Sequence, residues 1–144
     1  MKNFKLFLVA LVGIALSSCS MMDKDTNYQI SDLQGLWLEN NTQHYVRFTT
    51  DQSDENPYLL GREWDLADDV SEQDLIDQYN RDHHPGNGWF KYWLETSGKL
   101  TEIHFMDNGG AEIPKVYIVT KLTSTTLEYY NKDYKNEKYY FTRK

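Results

Sequence analysis

The sequence predicts an all-β fold, a small antiparallel up-and-down β-barrel of about eight strands with one short inserted helix. Three observations predict it. From Ile30 onward the chain is a series of short runs rich in aromatic and β-branched residues, separated by Gly, Asn, Asp and Ser. Several runs alternate apolar and polar residues, which is the pattern of strands with one buried face. A single antiparallel sheet of that many strands has two unprotected edges unless it closes on itself, and closure gives a barrel.

The predicted strands, in order, are Leu36 to Glu39, His44 to Thr49, Tyr58 to Asp65, Trp89 to Glu95, Leu100 to Met106, Lys115 to Lys121, Thr126 to Asn131 and Lys138 to Arg143. The breaks between them include Glu39-Asn40-Asn41-Thr42, Asp51 to Pro57, Ser97-Gly98, Asp107-Asn108-Gly109-Gly110, Thr123-Ser124 and Tyr134-Lys135-Asn136, several short enough for hairpins. Alternation places Val46 and Phe48, Ile103 and Phe105, and Val116 and Ile118 on the buried face. The inserted helix is read at Ser71, a good N-cap, with Asp74 three residues on and Val70 spaced from Leu75 as in a hydrophobic staple. Leu75, Ile76 and Tyr79 form its apolar stripe. Such a helix packs on the barrel or closes one end of it, and the stretch Asn80 to Gly88 returns the chain to the sheet.

Composition narrows the class further. The 144 residues are 40% hydrophobic and 26% charged with 3 Pro, 8 Gly and 1 Cys, which excludes collagen-like, disulfide-scaffold and disordered chains. The formal net charge of -7 argues against a grip on phosphate backbones, so nucleic acid is not an expected partner. The N-terminus carries Lys2 and Lys5, then the apolar run Leu6 to Leu16, then Ser17, Ser18 and Cys19, the form of a secretory signal peptide. As a helix that run would span roughly 16 Å, short of a hydrocarbon core of about 30 Å.

Leu16-Ser17-Ser18-Cys19 resembles the lipobox of bacterial lipoproteins, in which the Cys thiol takes a diacylglyceryl group before cleavage makes it the new N-terminus. The resemblance implies lipid attachment at Cys19, which is also the only cysteine of the chain. Several acyl chains of palmitate type hold a protein to a bilayer stably where one is marginal. The expected organisation is a signal peptide over 1–18, a flexible tether over 19–29 and one barrel domain over 30–144. Loss of Lys2 and Lys5 takes the formal charge from -7 to -9. Ser20 after the Cys implies, by the familiar sorting rule, the outer membrane of a Gram-negative cell envelope.

At the first strand, Leu33-Gln34-Gly35-Leu36-Trp37 resembles the Leu-x-Gly-x-Trp opening of lipocalins and of lipocalin-like bacterial lipoproteins. The closing stretch, from Lys121-Leu122-Thr123-Ser124-Thr125-Thr126-Leu127-Glu128 to Tyr139-Tyr140-Phe141-Thr142-Arg143, is similar to theirs as well. The resemblance implies that the barrel closes with Arg143 packed over the face of Trp37. It also implies a binding module for a small apolar or amphipathic ligand. The second and third lipocalin motifs are not visible, and the helix is inserted early.

The aromatic surplus suggests where such a ligand would sit. Trp64, Trp89, Trp93 and Tyr117 are the candidate ligand-binding residues, read as an aromatic-lined mouth. Both faces of the strand around Trp89, Phe90, Tyr92, Trp93 and Leu94 are apolar, so the inserted helix covers the outer face or that face docks an envelope protein or a glycan. The four histidines, His44, His83, His84 and His104, have no ligand spacing, and the acidic stretch Glu63, Asp65, Asp68, Asp69, Glu72 and Asp74 lacks the order of an EF-hand; no metal and no cofactor are expected. Neither Gly-x-Ser-x-Gly nor Ser-x-x-Lys occurs, and nothing singles out a carboxylate pair such as Glu63 and Glu102 as glycosidase acids. The expected class is non-catalytic.

Overall fold

The computed structural model describes residues 26–65, 71, 73, 74, 76, 77, 88–106 and 111–144. A short helix, α1 (Ile30–Leu33), precedes eight strands: β1 (Gly35–Glu39), β2 (His44–Gln52), β3 (Leu59–Asp65), β4 (Trp89–Leu94), β5 (Lys99–Phe105), β6 (Glu112–Leu122), β7 (Thr126–Asn131) and β8 (Lys138–Arg143). Each strand pairs antiparallel with the next, and β1 pairs with β8, so the sheet is a closed up-and-down barrel. No described helix is long and apolar enough to cross a membrane.

Two strands run further than the sequence suggests. β2 continues to Gln52 through a bulge between Phe48 and Gln52, which absorbs the polar residues that read as a turn. β6 begins at Glu112 and includes Pro114, because β7 joins it only from Tyr117 onward. The first part of β6 is therefore an edge, where the missing donor of a proline is tolerated.

α1 is absent from the sequence reading, which placed the one helix in the insertion. Its Leu33 is fully buried and its Leu33 carbonyl accepts a 2.7 Å hydrogen bond from Trp37 Nε1. Inside the expected tether, Tyr28 donates its backbone N–H to Thr96 and packs against the core, with its ring beside Gly98. In the insertion, Gln73, Asp74, Ile76 and Asp77 are helical. Ser71 Oγ accepts the Asp74 N–H at 3.1 Å and its hydroxyl donates to the Asp74 carboxylate at 2.6 Å, a working N-cap. Val70, Leu75, Tyr79, His83, His84 and the expected turn 107–110 lie outside the described residues, as do the signal segment and Cys19.

The barrel closes around Trp37 and Arg143. Their Cα atoms face each other across the β1–β8 seam, and the guanidinium lies 4.2 Å from the Trp37 ring centroid. Arg143 also donates from Nη1 to the Gln34 carbonyl at 2.6 Å, from Nη2 to the Asp32 carbonyl and from Nε to the Ser124 carbonyl at 2.8 Å. Gly35 explains itself here. Its φ is +126°, and a Cβ at that position would lie 2.5 Å from Arg143 Nη1.

Around this seam the interior is solid. Leu33, Trp37, Phe48, Phe90, Tyr92, Leu100 and Leu127 have no exposure, and Leu94, Val119 and Phe141 almost none. Phe48 meets Tyr92 and Phe90 edge to face, at 4.9 and 5.7 Å between centroids. Gly61 is required by this packing, since a Cβ there would sit 2.3 Å from the Phe90 ring.

Two expected faces are reversed. Leu100, Glu102 and His104 point inward from β5 and are buried, leaving Ile103 and Phe105 on the outside. On β6, Tyr117 and Val119 belong to the core while Val116 and Ile118 face outward. The reason is that the outer wall of β2 to β5 is itself covered: Thr49, Leu60, Trp89 and Lys91 on that wall are all 3% exposed or less. With both faces dry, hydrophobicity alone does not tell in from out.

Candidate functional site

The end of the barrel away from α1 is lined differently. His44, Glu63 and Asp65 share the inward face with Val46 and Gly61, and Glu102 and His104 approach from β5. They form one chain of carboxylates and imidazoles. Asp65 Oδ1 lies 2.7 Å from His44 Nδ1, and His44 Nε2 lies 3.3 Å from Glu63 Oε2. Glu63 Oε1 lies 3.5 Å from His104 Nδ1, and His104 Nε2 lies 2.7 Å from Glu102 Oε2. Phe90 stacks on the His104 ring at 5.0 Å and fixes its plane from below.

The two ends of the chain are unlike. At the rim, the hydrogen bond to Glu63 lifts the pKa of His44 to about 9, with Asp65 adding to it and burial opposing it. Burial pushes Glu63 up, but the hydrogen bond from His44 and the nearby His104 outweigh it and hold the carboxyl below its ordinary value. At the inner end the Glu102 side chain is 4% exposed, and its Oε1 has no hydrogen-bond partner among the described residues. An acceptor left unpaired in a dry interior costs about 1–3 kcal/mol.

Beside Glu102 stands a tyrosine cluster. Tyr117 is one step along β6 from Lys115, the residue paired with Glu102, and lies on the same inward face. Tyr129 packs on Tyr117 at 4.6 Å and Tyr139 on Tyr129 at 5.5 Å. Burial, followed by the charge of Glu102, pushes the Tyr117 and Tyr129 hydroxyls above their ordinary range, so both stay neutral donors. Solvent reaches this end: inward-facing Ile113 at the top of β6 is 44% exposed, and Met106 at the end of β5 is 37% exposed.

The four candidate ligand residues separate in the structure. Tyr117 faces the interior; Trp64, Trp89 and Trp93 alternate with the inward Phe90, Tyr92 and Leu94 or with Glu63 and lie on the outer wall, so they line no mouth. Arg62 covers Trp89 at 5.5 Å, Trp64 stacks on Tyr45 at 5.8 Å, and Trp93 is half-buried. Glu63 and Glu102, named above only as an arbitrary pair, hold the same imidazole from its two sides. Sequence reasoning did not bring Glu102 and His104 together because it assigned the inward face to Ile103 and Phe105. The signal it could have used is Leu100, Glu102 and His104 at period two.

Among the described residues, no group of three or more His, Cys, Asp or Glu side chains is arranged to hold a metal ion. The imidazole nitrogens of His44 and His104 are already taken by carboxylates. A concavity of about 490 Å³ lies on the outer face of β6 to β8 and is lined by Glu128, Tyr130, Lys135, Asn136, Lys138 and Tyr140 among others.

A pH dependence follows from His44. Its pKa is raised from about 6.5 in the unfolded chain to about 9 in the fold. The stability from this site is fully present below pH 6.5 and is lost as pH rises through 9. The pair is partly solvated, so a loss on the order of 1–2 kcal/mol is expected between pH 6.5 and 9.5 by urea unfolding. His44→Gln should flatten that slope; an unchanged slope would show that His44 is not its source.

Comparison with family models, with curated proteins and with solved structures finds no match to this chain.

Proposed function

We propose that this protein is a non-catalytic binding module of the cell envelope, anchored by lipid at Cys19, whose barrel takes a small amphipathic ligand at the end away from α1. One observation carries the reading. The interior is solid apolar packing around Trp37, whereas at the other end inward-facing His44, Glu63 and Ile113 keep contact with solvent above a buried carboxylate, Glu102, whose Oε1 has no partner among the described residues. A site with apolar walls and a few convergent polar groups is the common form of a small-molecule site. The lipobox-like Leu16 to Cys19 and the lipocalin-like ends of the domain support the anchored binding role.

Native mass spectrometry of the exported, detergent-extracted protein against its denatured mass tests this. A reproducible adduct of a few hundred daltons that dissociates on denaturation, while the N-terminal lipid stays, is the expected result. A protein that carries no adduct and takes up none from a total envelope lipid and metabolite extract would overturn it.

A second reading, docking to an envelope polysaccharide or protein, is favoured by the outer concavity, where Tyr140 is 45% exposed beside Lys135 and Lys138. Envelope crosslinking that depends on Tyr140 and Lys138 rather than on Glu102 would support it.

A further inference from the structure

We infer that the ligand of the barrel carries a cationic head group, a primary or secondary amine, which docks on Oε1 of Glu102. This inference rests on the binding role proposed above and names the ligand class.

The argument starts from what Glu102 lacks. A carboxylate accepts hydrogen bonds at both oxygens, and here Oε2 is engaged by His104 while Oε1 is sealed from water and unpaired among the described residues. A donor brought by a ligand removes that deficit. An ammonium brings charge as well, and charge-assisted hydrogen bonds are roughly twice as strong as neutral ones.

The groups facing Glu102 select the sign. Three carboxylates, Asp65, Glu63 and Glu102, lie along the chain, and His44 is already committed to two of them. His104 bridges Glu63 and Glu102 with its two nitrogens. Lys115, opposite Glu102 in register, shares the inward face but is exposed at the rim, where its charge acts on Glu63. Among the described residues no buried basic side chain pairs with Glu102 Oε1, so a fatty-acid carboxylate would meet Glu102 as a like charge. Tyr117 and Tyr129 add ring faces on the adjoining wall, which attract cations and the methylenes next to them. Ile113 and Met106 at the rim suit a short apolar tail.

Calorimetric titration of the detergent-extracted protein with octylamine, octanol and octanoate at neutral pH separates the possibilities, because the three probes share a tail and differ in the head. Octylamine is expected to bind about tenfold or more tighter than octanol, with octanoate weakest. Glu102→Gln should erase that preference while thermal unfolding shows an intact fold. Octanol or octanoate binding as tightly as octylamine would overturn the amine inference and leave the binding role standing; no binding of any probe would overturn both. The wild-type series decides even if Glu102→Gln does not fold.

Discussion

Trp37→Ala is expected to lower the unfolding free energy by about 3–5 kcal/mol, the largest single effect in the chain. The indole is fully buried, donates to the Leu33 carbonyl and carries the Arg143 guanidinium on its face. Its removal leaves a cavity at the base of the core and an unanchored α1. Arg143→Ala should cost about 2–3 kcal/mol by freeing the carbonyls of Asp32, Gln34 and Ser124, which tie the start of the domain to the β6–β7 turn. Arg143→Lys should recover less than half of that, since an ammonium cannot reach three divergent acceptors and lie flat on an indole. In a double-mutant cycle by urea unfolding, Trp37 and Arg143 should couple by about 1–2 kcal/mol. Additive losses would mean that the stacking contributes nothing and that each residue acts alone.

The seam was legible because its chemistry is local to two short motifs. Gly35 must lack a side chain where Arg143 passes, and Trp37 must be the ring beneath it, so the pattern survives in the residues themselves. Strand positions were legible for a similar reason, since turn residues such as Asn41, at φ +62°, mark hairpins without reference to the rest of the fold. The parity of β5 and β6 was not. Ile103 and Phe105 look like core residues until it is known that Leu60 and Trp89 across the ladder are also buried. That knowledge is tertiary. The consequence reached the site, because the same parity decides whether Glu102 and His104 point at water or at each other inside the barrel. The tryptophans misled in the same way: Trp64, Trp89 and Trp93 lie on the outer wall, and apart from Trp37 the interior aromatics are Phe and Tyr.

That outer wall supplies the second large effect. Lys91 is a buried cation on the outside of the barrel, its side chain 4% exposed, with Nζ 2.9 Å from Glu55 Oε2 and 2.9 Å from Glu112 Oε1 and 5.4 Å from the Phe105 centroid. Burial pulls the Lys91 pKa down, but the two carboxylates outweigh it and raise the net value, so the ammonium stays charged in the fold. Removing both carboxylates in a Glu55→Ala, Glu112→Ala double variant leaves that charge desolvated and unmatched, which should cost about 3 kcal/mol. It should also free the β2–β3 loop that Glu55 pins over the wall. Lys91→Met, by contrast, removes the charge and keeps the volume between Leu60 and Phe105, so it should change stability by under about 1 kcal/mol in either direction. Urea unfolding of the three proteins checks the asymmetry. If Lys91→Met is the more damaging change, the ion triad stabilises the wall in its own right, and the wall's hydrophobic packing is not what holds it.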